Sequence, residues 1–186
     1  MTSDQQQQRR FNEVVLPHLD DALSLARWLT GNVVDAEDVV QDACIRAFGA
    51  VGKFKGGNPR PWLLSIVRNT AFTWMAKNRP KQLLVTDDES VFENAAADMT
   101  GPAAQVTPEV ALIAKADAEV LTTAIANLPL TFRETLVLRE IEGLSYREIS
   151  EITAVPIGTV MSRLARARDL LILAIGKAMP PEGRTT

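Results

Sequence analysis

A single cysteine, Cys44, and a single histidine, His18, stand in a chain of 186 residues. One cysteine cannot build a disulfide framework, and the pair falls short of the three or four ligands of a zinc-type site. No apolar run approaches the ~20 residues that cross a bilayer, and the opening MTSDQQQQRR is polar throughout, unlike a secretory leader. Strand-type alternation is missing, as is a glycine-rich phosphate loop ahead of a helix. No nucleophile and base suggest covalent or acid–base chemistry. These absences predict an all-α, non-catalytic, cytoplasmic protein with no cofactor, no metal site and no membrane insertion.

What is present is helical periodicity and segregated charge. Hydrophobic residues make up 46% of the sequence, which supports packed cores and argues against global disorder. The net charge of −3 speaks against DNA binding when taken alone, but the distribution matters more than the sum. Residues 60–81 carry Arg60, Arg68, Lys77, Arg79 and Lys81 and no acid. Residues 82–119 carry acids from Asp87 to Glu119 against Lys115 alone.

The stretch 144–171, LSYREISEITAVPIGTVMSRLARARDLL, reads as two helices around a tight turn. Ser145 with Glu148 three residues on is a capping-box signature that starts a helix at Tyr146. Pro156 and Gly158 break it, and a second helix gets under way at Thr159. At about 100° per residue, Val160, Leu164, Ala167 and Leu171 stack into one apolar stripe. Thr159, Ser162, Arg163 and Arg166 fall on a separate polar face. That layout is a helix-turn-helix. Arg163, Arg166 and Arg168 meet no acidic neighbour before Asp169, so the face is either a solvated surface or a seat for a polyanion such as DNA.

Upstream, residues 1–10 are expected as a disordered tail. A helix over 11–30 comes next, kinked or divided at Pro17 and ended by Gly31 and Asn32. Another runs over about 36–50 with Asp35 as its cap. Its Ala36, Val39, Val40, Ala43 and Ala47 turn inward, and its Asp38, Gln41, Asp42 and Ile45 turn outward. That outer face is either solvated acid near a helix N-terminus or a docking surface for a basic partner, with Ile45 as its apolar contact. The glycine-rich 49–60 is a loop. Pro61 opens a helix that runs to about Asn78 and stops at Pro80. Leu63, Ile66, Val67, Thr70 and Trp74 line its inner face, and Ser65, Arg68, Asn69 and Phe72 its outer one. An exposed Phe72 beside Asn69 suits stacking on unpaired bases, while a Phe72 buried against a neighbouring helix fits the periodicity equally.

Residues 82–115 lose apolar periodicity and turn acidic, the composition of a flexible linker. A second domain spans 116–178. Its first helix carries Val120, Leu121, Ala124, Ile125 and Leu128 and ends at Pro129. The next, over about 132–142, turns Leu136, Val137 and Ile141 inward and stops at Gly143, ahead of the helix-turn-helix. Residues 179–186 are a tail. The expected architecture is two small helical domains, 11–81 and 116–178, joined by the acidic linker.

Four blocks, in this order, resemble the bacterial sigma factors of the extracytoplasmic-function type (sigma-70 group 4), small specificity subunits of RNA polymerase. DAEDVVQDACIRAF (35–48) resembles their polymerase-docking helix, and RPWLLSIVRNTAFTWMAKNRP (60–80) their promoter-melting and −10 segment. LPLTFRETLVLREIEGLSYREISEI (128–152) and PIGTVMSRLARAR (156–168) resemble the region that reads the −35 element. The resemblance implies a region 2-like and a region 4-like domain that direct core polymerase to promoters and help to melt them. It implies that Asp38, Gln41, Asp42 and Ile45 face the largest polymerase subunit. Ser65, Arg68, Asn69 and Phe72, with Lys55 and Arg60 of the loop, would sit at the opened −10 strand. Thr159, Ser162, Arg163 and Arg166 would enter the −35 major groove. Core polymerase, through its largest and flap-bearing subunits, promoter DNA and an anti-sigma factor are the implied partners. Two positions depart from the family pattern. Met161 stands where a basic residue is common, and MAKNRPK (75–81) is less basic than the usual arginine run. A free-standing helix-turn-helix regulator and a sigma-like protein-binding adaptor are the other readings. The first leaves the acidic face and Phe72 unused, and the basic residues on both DNA faces count against the second.

Overall fold

The computed structural model describes residues 3–80 and 118–178, so the expected linker and C-terminal tail lie outside the described residues. Every regular element among the described residues is helical. Helix α1 (Ser3–Val14) takes in most of the segment expected as a tail. Its first turns have no apolar period to announce them; side chains anchor them instead. Gln7 donates to the Phe48 carbonyl at 2.7 Å, Arg10 donates to the Phe54 carbonyl, and Phe11 meets Phe48 edge-on at 5.5 Å. Pro17, inside the 3-10 turn Leu16–His18, separates α1 from α2 (Leu19–Thr30). Gly31 then closes α2 in the left-handed region at φ 73°, where a side chain would be strained.

Helix α3 (Val33–Ala50) starts at Val33 rather than Ala36, because Asn32 and not Asp35 is the cap. The Asn32 carboxamide oxygen accepts the Asp35 N–H at 2.9 Å, and the Asp35 carboxylate instead receives Arg79 at 2.6 Å. Helix α4 (Pro59–Asn78) is capped by Asn58. Helices α2, α3 and α4 pack on one another through Leu25, Leu29, Val39, Leu63, Val67 and Met75, all fully buried. The buried Ala36, Ala43 and Ala47 give α3 a smooth inner face. Leu64 and Ala71 of α4 are buried as well, while Ile66 and Trp74 are only half-buried. The stripe is wider than expected because α4 also packs against the helix Tyr146–Thr153 of the second domain.

In that domain a helix over 118–126 (α5) precedes α6 (Leu130–Leu136), α7 (Tyr146–Thr153) and α8 (Ile157–Ala178). Arg133 is buried among them and donates to the Ala126 carbonyl at 2.6 Å, and burial pulls its pKa down to about 10. The sequence pattern does not reveal the π turn Val137–Ile141 that continues α6. The Glu142 N–H reaches back to the Val137 carbonyl at 2.9 Å, and the wider turn rotates the residues at its end. Ile141, expected inside, is therefore exposed, while Glu142 is buried; Leu121 of α5 is exposed as well. Among the described residues no helix is long and apolar enough to cross a membrane.

The capping box forms as expected. Glu148 accepts the Ser145 N–H at 2.8 Å while the Ser145 hydroxyl accepts the Glu148 N–H at 3.3 Å. Ser145→Ala should cost about 1 kcal/mol, read as a lowered urea midpoint with an unchanged slope. An unmoved midpoint would show that packing alone holds α7 in place. The two domains meet where α2 touches α6 and α4 touches α7, and their buried apolar residues form one continuous cluster.

Candidate polymerase and nucleic-acid interfaces

Three faces of different chemistry emerge from this scaffold. On α3, Asp38, Gln41, Asp42 and Ile45 are all exposed, as their spacing requires once Ala36, Val39 and Ala43 are buried. The same face extends to Val34, which sequence reasoning passed over. Val34 and Ile45, 67% and 66% exposed, bracket the acids at helical spacing. Two large apolar side chains left in water at the ends of an acidic row give the face something to desolvate as well as charge to offer.

The second face is the outer side of α4 with the loop before it. Gly56 and Gly57 both take positive φ, 95° and 96°, so the turn that presents Lys55 needs glycine twice. The loop is pinned by the Phe54 ring, 5.0 Å from Trp62. Lys55 and Asn69 are exposed, whereas Arg60, Ser65, Arg68 and Phe72 are half-buried. Ser65 turns its hydroxyl onto the Trp62 carbonyl at 2.7 Å. The Arg68 guanidinium lies 4.0 Å over the Phe72 ring, and Phe72 packs on the core at its edge. Phe72 is therefore neither fully exposed nor fully buried: it packs on the core and carries a cation on one face.

Arg60 and Arg68 meet acids. Arg60 pairs with Asp21 at 2.6 Å and with Glu142 at 2.7 Å; Arg68 pairs with Glu134. The Arg60 hydrogen bond holds the Asp21 carboxyl below its ordinary range. Glu134 and Glu142 are pushed up, because burial outweighs the arginines beside them.

The third face lies on α8. Val160, Leu164 and Ala167 are buried as the stripe requires, while Leu171 is half-buried. Ser162 and Arg166 are exposed, and Thr159 and Arg163 are half-buried. The four share a side of the helix without being equally open. The charge of Arg163 acts on the buried Glu134 carboxyl, against the upward push of burial. Arg168, with no acid three or four residues away on its helix, is met in space by Glu140. Met161 is exposed at the position where the resemblance leads one to expect a basic residue.

Residues 14–80 match the family Sigma-70 region 2, and residues 118–171 match Sigma-70, region 4. The RNA polymerase sigma-H factor of Pseudomonas aeruginosa is 34% identical over 179 residues, covering 93% of this chain and 88% of that protein. The ECF RNA polymerase sigma-E factor of Escherichia coli is 32% identical, covering 88% of this chain and 85% of that protein. The chain belongs to the extracytoplasmic-function family of RNA polymerase sigma factors. Both other readings, a free-standing regulator and an adaptor, give way to this membership. The sigma factor RpoE of Bartonella quintana, solved in complex with the anti-sigma factor NepR, is similar in structure. Its TM-score is 0.69 at 26% identity, covering 89% of this chain and 96% of that one. The region 2 match contains the α3 and α4 faces, and the region 4 match contains the α8 face.

Proposed function

We propose that this sigma factor divides initiation among its three faces. Asp38, Gln41, Asp42 and Ile45, joined by Val34, dock on the largest subunit of core polymerase. Lys55, Arg60, Ser65, Arg68, Asn69 and Phe72 take the opened −10 strand, with Phe72 as the stacking surface and Asn69 as the hydrogen-bonding group. Thr159, Ser162, Arg163 and Arg166 enter the −35 major groove, while the flap-bearing subunit supports the second domain. The protein does no chemistry of its own, takes no cofactor, and works in the cytoplasm beside the polymerase it serves. An anti-sigma protein is its expected inhibitor.

The observation that carries this reading is the exposed row Val34, Asp38, Gln41, Asp42 and Ile45 within the segment matching region 2. A duplex-binding regulator has no use for it. Reversing Asp38 and Asp42 to lysine together should weaken core binding at least about tenfold, or 1.4 kcal/mol. The fold should hold, since exposed charges contribute about 0.5 kcal/mol or less each. The measurement is a fluorescence titration of labelled sigma factor with purified core polymerase, with helicity checked by circular dichroism. Equal affinity for the two proteins would reduce the row to a solvated surface.

A further inference from the structure

The outer half of α8 carries two strips of different chemistry. Val160, Leu164 and Ala167 are buried, and about 100° of rotation per residue places the other side chains relative to them. Thr159, Arg163 and Arg166 lie to one side and supply a hydroxyl and two guanidinium groups. Ile157, Met161 and Ala165 lie to the other, four residues apart in succession, with Ser162 between the strips. Ile157 is 45% and Met161 53% exposed, and Ala165 is exposed as well. The one charged residue on this second flank of α8, Arg168, is already paired with Glu140. The flank therefore offers apolar contact where its neighbour offers hydrogen bonds.

A surface that suits both strips is polar on one side and apolar on the other. The edges of base pairs in the major groove form such a surface. They present donors and acceptors to arginine and serine, and one apolar group, the C5-methyl of thymine. Met161 has no donor, and its thioether is a weak acceptor, so it cannot bond a phosphate as a basic residue at that position would. Unbranched and polarizable, with three rotatable bonds, it fits an irregular apolar contact. Gly158 is exposed too and puts no side chain between the first turn of α8 and the groove floor.

We propose that Met161, flanked by Ile157 and Ala165, reads thymine in the −35 element through its C5-methyl group. The proposal rests on assigning α8 to the −35 major groove. It adds a second mode of reading to that of Arg163 and Arg166. The arginines take guanine through hydrogen bonds, whereas Met161 takes thymine by removing a methyl group from water. Methionine in place of a basic residue thus exchanges a phosphate contact, which no base pair governs, for a contact that one base pair does.

The test uses the holoenzyme formed from core polymerase and the full chain. Promoters are recovered from a pool randomised over the −35 element. Each thymine of the recovered element is then replaced singly by deoxyuridine, which removes the methyl group and leaves every hydrogen-bonding group in place. At one position, or two adjacent ones, the deoxyuridine promoter should bind about fourfold more weakly, the equivalent of ~0.8 kcal/mol for one buried carbon group. Met161→Ala should bind the two promoters alike while keeping its guanine preference. Met161→Lys should also lose the discrimination, and should bind every −35 sequence more tightly with a salt slope steeper by about one unit. Alanine and lysine are both good helix formers, and the deoxyuridine comparison on the wild-type chain needs no variant at all. Three results overturn the role of Met161 while sparing the −35 assignment. They are recovered elements with no shared thymine, equal binding of thymine and deoxyuridine promoters at every position, and discrimination that persists in Met161→Ala. A recovered pool with no base preference over the −35 element brings down the α8 assignment and the proposal with it.

Discussion

Replacing Asn69 and Phe72 together by alanine is expected to leave core binding and −35 duplex binding intact while impairing promoter opening on the order of 10- to 100-fold. The size follows from base–aromatic stacking, worth about 1–3 kcal/mol per base. That is enough to hold a base whose extrusion costs a few kcal/mol. Paired bases offer no open face, so only a protein that handles melted DNA needs such a surface. The geometry adds a detail. Arg68 covers one face of the Phe72 ring and also holds Glu134, so engaging Glu134 and engaging a base draw on the same cation–aromatic pair. Permanganate reactivity of −10 thymines on duplex and pre-melted promoters separates opening from binding. A pre-melted bubble should rescue most of the defect and still show weaker single-strand affinity. Wild-type opening by the double variant would move the melting role to Lys55 of the loop and Arg60 at the start of α4.

Arg163 and Arg166 carry the second large expected effect. Arginine reads guanine O6 and N7 through two parallel hydrogen bonds, and losing such a pair costs about 1–3 kcal/mol at a site containing that base. Contact with phosphate alone behaves differently: affinity falls alike on every sequence, and the salt slope drops by about one unit. Binding of each alanine variant to specific and scrambled −35 duplexes over a salt series distinguishes the two.

The parts of this molecule legible in its sequence are those governed by neighbours within one helical turn. The Ser145–Glu148 box, the Val160–Leu164–Ala167 stripe and the outward set on α3 all follow from spacing of three and four residues, and all appear as expected. Asn32 displaced Asp35 as a cap because both residues can cap and sit close together, so spacing alone does not choose between them. The first turns of α1 escaped notice because Gln7 and Arg10 find their partners 41 and 44 residues away. Distance in sequence hid the domain contact for the same reason: Arg68 and Glu134 are 66 residues apart, and Arg60 and Glu142 are 82. A signal was present in the acids Glu134 and Glu142, set among the apolar residues of 128–144 that periodicity turns inward. A carboxylate that packing forces inside calls for a cation, yet nothing local names which one. The π turn that swings Glu142 toward Arg60 leaves no recognisable mark in residue type.

That the chain confers promoter-selective initiation on core polymerase is tested most directly by multi-round run-off transcription. Purified core polymerase is supplied with a promoter library, with and without the chain. Discrete transcripts are expected that depend on the chain and start downstream of a shared pair of −35 and −10 sequences. Asp38→Lys with Asp42→Lys should abolish them. Duplex binding by the chain alone, with no new start sites when core is present, would contradict the three-face division of initiation and return the protein to the class of free-standing regulators.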